Sequence, residues 1–230
     1  MLKIENYNVP SPWQWEMAVC GMRNPMNSWD KMDSAVEPYV HGTHQEFFFN
    51  FGKNDHDLAM RLAAGGPVHG KYLRMLPVWV DILAPLYWWK EFDTYKVGTV
   101  TNSCSTMHKI HEKEFTLEDF SCEHLFHRLP DDINDPFLGS AMWELENVVG
   151  YINEMRTKFL KTNDKRYWWQ MIQLLPSSYN QKRTVMLNYQ VLHDIYRDRK
   201  DHKLDEWHTL CDWIRELPYS ELIVGEDTEE

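Results

Sequence analysis

Behind an aromatic segment, WWKEFDTYKVG (88–98), the chain runs TVTNSCST from Thr99 to Thr106. Hydroxyls, an amide and a thiol crowded this closely can hydrogen-bond a polar ligand, and the backbone N–H groups of such a loop can cradle an anion. A second set is built from imidazole. His41-x-x-His44, His108-x-x-His111 and His124-x-x-His127 each place two rings one turn apart if helical, with Glu112, Cys122 and Glu123 close in sequence. Such groups are raw material for a zinc or iron site. No complete zinc spacing accompanies them, so surface or capping histidines are the preferred reading. The tandem tryptophans Trp88-Trp89 and Trp168-Trp169 read as core rather than as stacking platforms. A P-loop, a G-x-G-x-x-G turn and a G-x-S-x-G elbow are all missing from the sequence, which leaves those phosphate cradles and serine hydrolases without support.

The chain has 230 residues and a formal net charge of −11. That length can bury a sizeable core without staples, and the reading is a single domain over 1–230 with a solvated acidic tail, 225–230. The acidic balance argues against a nucleic-acid polymer as partner, because phosphate backbones reward dense Lys and Arg. No apolar run is long enough to cross a membrane, and MLKIENYNVPSPW lacks the apolar centre of a signal peptide. The four cysteines, Cys20, Cys104, Cys122 and Cys211, form no C-x-x-C pair. The expectation is a reduced, cytoplasmic chain with free thiols.

The elements that must position these groups follow from period and punctuation. Ser11-Pro12 opens a helix over 12–22, after a short strand within 1–10 carrying Leu2 and Ile4. QEFFFNF (45–51) is too short to assign. Asn54-Asp55 caps a helix that Gly65-Gly66-Pro67 stops, and a helical turn or two follows in VHGKYLRM. Val78, Val80 and Ile82 alternate with Trp79, Asp81 and Leu83, the period of a half-buried strand that Ala84-Pro85 ends before a short helix. Leu138, Met142, Leu145, Val149, Ile152, Met155 and Phe159 step by three and four along an amphipathic helix. Further helices are expected over 165–174, 180–200 and 204–217. The sum is an α+β chain, helix-rich with a few strands.

Three landmarks in this order resemble the flavin-dependent thymidylate synthases. His69 stands ahead of the strand-ending Ala84-Pro85 in GGPVHGKYLRMLPVWVDILAP. The strand-to-helix step that follows is where the family carries Arg-His-Arg-x-x-Ser-x-Asn-x-x-Ser-x-Arg. Leu175-Pro176 then precedes Asn188 and Arg199 in LLPSSYNQKRTVMLNYQVLHDIYRDRK. The likeness covers roughly 55–110 and 170–220. If 180–200 is one helix, the step from Asn188 to Arg199, at about 100° per residue, closes on nearly whole turns. Both side chains then share a face, about 16 Å apart along the axis.

The resemblance implies a helix-rich α+β subunit with a small antiparallel sheet, assembled as a homotetramer with active sites at subunit interfaces. It implies FAD as cofactor, with methylenetetrahydrofolate and NADPH as co-substrates. The implied reaction moves a one-carbon unit to C5 of dUMP or a related pyrimidine deoxynucleotide. By position it implies His69, Lys71, Thr94, Tyr95, Lys96, Asn102, Asn188 and Asp194 on the cofactor. Glu91, Ser103, Cys104, Ser105 and Thr106 fall to the substrate, and Arg199 to the substrate base as its electrostatic activator. A Cys104 thiolate attacking C6 of the base is the livelier role for that residue; with no base evident beside it, an unreactive thiol in a serine's place is preferred.

The chain departs from the family where phosphate is held. Arg-His-Arg falls on Thr94, Tyr95 and Lys96, the motif's first serine on Thr99 and its asparagine on Thr101. The closing, phosphate-binding arginine falls on Thr106 and a second on Ile172. Charge-assisted bonds to phosphate are worth about 1.5–3 kcal/mol each, so losing two weakens a nucleotide monophosphate by about 3–6 kcal/mol. Lys96, Lys109, Arg183 or the backbone N–H groups of 102–106 are the candidate replacements. Two alternatives stand beside the enzyme: a homologue that binds flavin or nucleotide without methylating, and a histidine-rich metal protein on the same scaffold.

Overall fold

Ser11 accepts the backbone N–H of Gln14 while the Gln14 side chain accepts that of Ser11, and Pro12 fills the first turn. This capping box starts α1 (Pro12–Arg23), as the sequence leads one to expect. The structure is a computed structural model that describes residues 1–128 and 140–225. Leu138 and the tail beyond Gly225 lie outside the described residues. The chain divides into two compact units.

One unit (Ile4–Ile82, Thr94–Asn102, Thr184–Glu230) carries the hairpin and the larger part of each strand of the main sheet. Strands β1 (Lys3–Asn8), β4 (Pro77–Pro85), β5 (Val100–Ser103) and β6 (Asn180–Asn188) form a sheet in the order β1-β4-β6-β5. Val78, Val80 and Ile82 are buried on one face of β4, as their alternation requires. A separate antiparallel hairpin pairs β2 (Ala35–His41) with β3 (His44–Asn50), turning through Gly42 at φ +63°. QEFFFN, residues 45–50, is thereby resolved as strand, with Phe51 just beyond it. The helices here are α1, α2 (Lys53–Ala64), α6 (Tyr189–Arg199), α7 (Asp205–Arg215) and α8 (Glu221–Val224). Trp15 anchors an aromatic core, with Phe49, Tyr189 and Tyr219 at centroid distances of 5.9, 5.2 and 4.9 Å.

The other unit (Met1–Lys3, Leu83–Asp93, Ser103–Arg183) is helical, with α3 (Leu86–Phe92), α4 (Ala141–Thr162) and α5 (Lys165–Leu174). The stripe Met142, Leu145, Val149, Ile152 and Met155 is buried, together with Ile110, Phe115, Phe120 and Met171. Trp88 and Trp89 are core, each 0% exposed, whereas Trp169 is 43% exposed and only its neighbour Trp168 packs against the core.

Two expectations are corrected. Asn54-Asp55 does not cap α2: Gly52 is its N-cap, and the first-turn N–H groups of Asn54 and Asp55 are capped instead by the Asp33 carboxylate, at 2.8 and 3.0 Å. More consequentially, 180–200 is not one helix. Residues 180–188 are β6, with Val185 and Leu187 buried and Thr184 exposed, and the helix begins only at Tyr189. A period-two strand running directly into a period-3.6 helix presents one long apolar pattern, and no glycine or proline marks the joint.

Candidate functional site

The switch from strand to helix at Asn188 organises the first cluster, which lies within the sheet-bearing unit. Asn188 keeps extended backbone (φ −137°, ψ 170°), and its Oδ1 accepts the Val191 N–H at 3.1 Å, capping α6. The shared helical face expected of Asn188 and Arg199 is thus replaced by the two ends of α6. The loop ahead of β5 reaches both ends. Gly98, at φ +82°, sits so close that a Cβ there would come within 2.8 Å of the Asn188 amide nitrogen and 3.2 Å of Val191. Gly98→Ala therefore combines backbone strain with a clash, an expected loss of about 1–3 kcal/mol. Gly42→Ala, whose added Cβ meets nothing within 4 Å at φ +63°, carries the strain alone. Thermal unfolding of the two variants should show Gly98→Ala the less stable; equal midpoints would refute the close approach.

At the other end of α6, Arg199 donates from Nε to the Tyr95 hydroxyl at 3.0 Å. Its guanidinium carbon lies 4.7 Å from the Trp207 ring centroid and 5.7 Å from that of Tyr95. Burial holds the Tyr95 hydroxyl above its ordinary range, against the opposing pull of Arg199, so it meets the guanidinium as a neutral phenol. The His202 ring stands edge-on to Trp207 at 6.1 Å.

Between these ends lies a group that the sequence reading passed over. Gln190 is 5% exposed; its Nε2 donates to Asp194 Oδ1 at 3.3 Å, while its Oε1 is buried with no partner. That oxygen is 3.5 Å from where a Cβ on Gly70 would stand, beside the exposed His69 and Lys71. Asp194 also takes Arg197 Nη1 at 3.2 Å and His193 Nδ1 at 3.4 Å. Thr99 Oγ1 is a second buried oxygen without a partner. The i, i+4 spacing of Gln190 and Asp194 is visible in the expected helix, but the unpartnered oxygen that singles out Gln190 depends on its surroundings. Tyr95, Asn188, Asp194 and Arg199 are thus gathered along α6; Thr94 and Lys96 are exposed on the same loop as Tyr95, and Asn102 lies in β5.

The residues expected on the substrate, Arg199 apart, belong to the helical unit. Glu91 is half-buried on α3, and Ser103 ends β5. The expected anion cradle of 102–106 is corrected in part, because the N–H at its centre, that of Cys104, is committed. The Cys104 N–H donates to Lys182 O at 2.9 Å, and Cys104 O accepts Gln181 Nε2 at 2.7 Å. Ser105 Oγ accepts the His108 N–H at 2.9 Å. Cys104 is exposed and Thr106 half-buried. Arg183, a candidate phosphate ligand, is also engaged: Nε donates to Gln181 Oε1 at 3.0 Å and Nη1 pairs with Asp93 at 2.8 Å. Its guanidinium lies 4.2 Å from the Trp89 ring centroid. Lys109 pairs with Glu112 on the surface.

The histidine pairs are not helical. His41 and His44 face each other across the hairpin turn; His108, His111, His124 and His127 sit in turns and loops. Among the described residues no group of three or more His, Cys, Asp or Glu side chains is placed to hold a metal ion. No helix among them is long and apolar enough to cross a membrane.

Neither a family model nor a curated protein matches the sequence. Solved structures do match its fold. ThyX from Helicobacter pylori, complexed with FAD and dUMP, is 15% identical over 98% of this chain and 98% of its own, with a TM-score of 0.64. A second structure of that protein with FAD and dUMP gives 15% identity, coverage of 98% and 97%, and a TM-score of 0.61. The UMP/dUMP methylase PolB from Streptomyces cacaoi, bound with 5-Br dUMP, is 14% identical over 94% of this chain and 88% of its own, at a TM-score of 0.54. The chain, helix-rich with a small antiparallel sheet, has the fold of these thymidylate synthase and methylase structures.

Proposed function

We propose that the chain is a flavin-dependent methylase of the thymidylate synthase type, moving a one-carbon unit from methylenetetrahydrofolate to C5 of dUMP or a related pyrimidine deoxynucleotide. FAD is its cofactor and NADPH its electron donor. It works as one domain over 1–230, in the cytoplasm, as a homotetramer with sites completed at subunit interfaces. One observation carries the reading. Tyr95, Asn188, Asp194 and Arg199, matched to the family by sequence position, converge on a single helix in a fold shared almost end to end with a synthase complexed with FAD and dUMP.

The residues present fit a flavin. Gln190 Oε1 and Thr99 Oγ1 are buried oxygens without partners, and a flavin offers a ring N–H and ribityl hydroxyls. Gly70 presents no side chain toward the Gln190 oxygen, His69 and Lys71 flank Gly70 in sequence, and Lys96 lies on the 94–99 loop with Thr99. Bound there, FAD supplies the redox chemistry of the transfer. Arg199, fixed by Tyr95 and Trp207, polarises the substrate ring, with Glu91 and Ser103 to Thr106 on the substrate side. The exposed apolar side chains of the hairpin and α1, Tyr39, Phe47, Phe48, Trp13 and Met17, support self-association.

Purified protein should be yellow, with the absorption band of oxidised flavin, and should release tritium from C5-labelled dUMP in the presence of methylenetetrahydrofolate and NADPH. A colourless protein that takes up no added FAD overturns the reading. One observation favours a second reading, a homologue that binds flavin or nucleotide without methylating it: Arg183 is already neutralised by Asp93, while Thr106 and Ile172 stand at the family's arginine positions. Yellow protein without tritium release selects it.

A further inference from the structure

We propose that a cavity of about 460 Å³ in the helical unit binds a small aryl phosphate, a planar aromatic ring carrying a phosphate monoester. Its walls include His108, His111, Phe159, Asn163, Lys165 and Trp168. The volume lies within the usual range of small-molecule sites, about 300–1,000 Å³. The inference is independent of the flavin reading, since none of these residues belongs to the set along α6.

The lining chemistry selects an anion. No carboxylate is among these side chains. Two imidazoles, an ammonium and an amide are, and Lys165 opens α5, where the helix adds partial positive charge. The acids adjacent in sequence to His111 and Lys165 are already paired: Glu112 with Lys109, and Asp164 with Arg166 at 2.6 Å while capping α5. Lys165 has no carboxylate partner among the described residues; its Nζ lies 5.8 Å from the ring centroids of both Trp168 and Trp169. His111 sets its ring edge-on to Phe159 at 5.0 Å, and its Nδ1 is buried without a partner. A cation is disfavoured, because only two imidazoles are present and the third strong group is itself positive.

Trp168 and Phe159 supply the ring-binding walls. The segment bearing the histidines is held in advance of any ligand. Trp168 Nε1 donates to Met107 O at 3.2 Å, Arg156 Nε to His111 O at 2.9 Å and Arg156 Nη2 to Glu112 O at 3.1 Å. A site fixed in this way loses little ordering entropy on binding.

Titration of the full chain with phenyl phosphate, inorganic phosphate and phenol, read on the imidazole NMR signals of His108 and His111, tests the proposal. Phenyl phosphate should shift both rings and bind at least about tenfold more tightly than either fragment, since it alone meets both the charged and the aromatic walls. Lys165→Gln should weaken it by about tenfold or more and Lys165→Arg should retain it, while Lys161→Gln, on α4 and away from the walls, leaves it unchanged. Lys165 is exposed, so these variants should keep the wild-type melting temperature. Unmoved histidine signals, equal binding of phosphate and phenyl phosphate, or full binding by folded Lys165→Gln would overturn it.

Discussion

If the chain is the flavin-dependent methylase proposed above, Arg199→Ala is expected to lower the rate of methyl transfer about a hundredfold to a thousandfold while the protein stays yellow, the cost typical of removing one preorganised electrostatic group. The geometry explains why the loss should fall on the chemical step. The Nε–H is spent on Tyr95 at 3.0 Å and the guanidinium carbon rests 4.7 Å from the Trp207 centroid, so the charge is held in one orientation before substrate arrives. A group preorganised toward developing charge acts in the transition state, and its removal lowers kcat and kcat/KM together. Arg199→Lys should not restore the rate: an ammonium keeps the charge but has neither the fork that reaches Tyr95 nor the plane that stacks on Trp207. Tyr95→Phe removes only the orienting acceptor and should cost less than Arg199→Ala. An Arg199→Ala enzyme with wild-type kcat would remove Arg199 from the chemistry.

How far the sequence foretold this depends on whether each signal is local. The β4 alternation and the α4 stripe are read correctly because burial on one face imposes a period visible over a single element. Ser11-Pro12 names its helix because the capping box is complete within four residues. Asn188 and Arg199 could be selected, but their relation could not. It depends on β6 turning into α6 at Asn188, which no breaker marks, and on Gly98 and Tyr95 arriving from a distant loop. Gln190 was missed for the same reason: an unpartnered buried oxygen is a property of three-dimensional surroundings, not of residue type. The commitments of the 103–106 segment are likewise invisible in sequence, because Gln181 and Lys182, which bind Cys104, are remote along the chain. The likeness to known thymidylate synthases therefore located the elements, and packing within each unit decides what each side chain is able to do.

The same contrast governs the largest stability effect expected outside the site. Arg23, the last residue of α1, is 4% exposed, and Asp55, in the first turn of α2, is 0% exposed. Asp55 Oδ1 accepts Arg23 Nε, and Oδ2 accepts the backbone N–H groups of Asp33 and Ser34 at 2.9 and 2.8 Å. Arg23 Nη1 in turn reaches Ser28 O and Oγ at 3.4 and 3.3 Å. The exchange is reciprocal, since the Asp33 carboxylate caps α2 at the Asn54 and Asp55 N–H groups. Burial works against its charge, but those N–H groups outweigh it and hold the Asp33 carboxyl below the usual carboxylate range. Asp55→Ala strands a buried guanidinium and two backbone donors at once, for an expected loss of about 3–5 kcal/mol. Against a typical total of about 5–15 kcal/mol, that is a large share of the fold's stability. Arg23→Ala strands the carboxylate but leaves its two N–H donors, so it should cost less. The double variant should cost less than the two single losses combined, because each partner's removal relieves the other's isolation. Urea unfolding of the three variants tests this, and additive losses, or an Asp55→Ala loss under about 1 kcal/mol, would show that the pair does not hold α1 to α2.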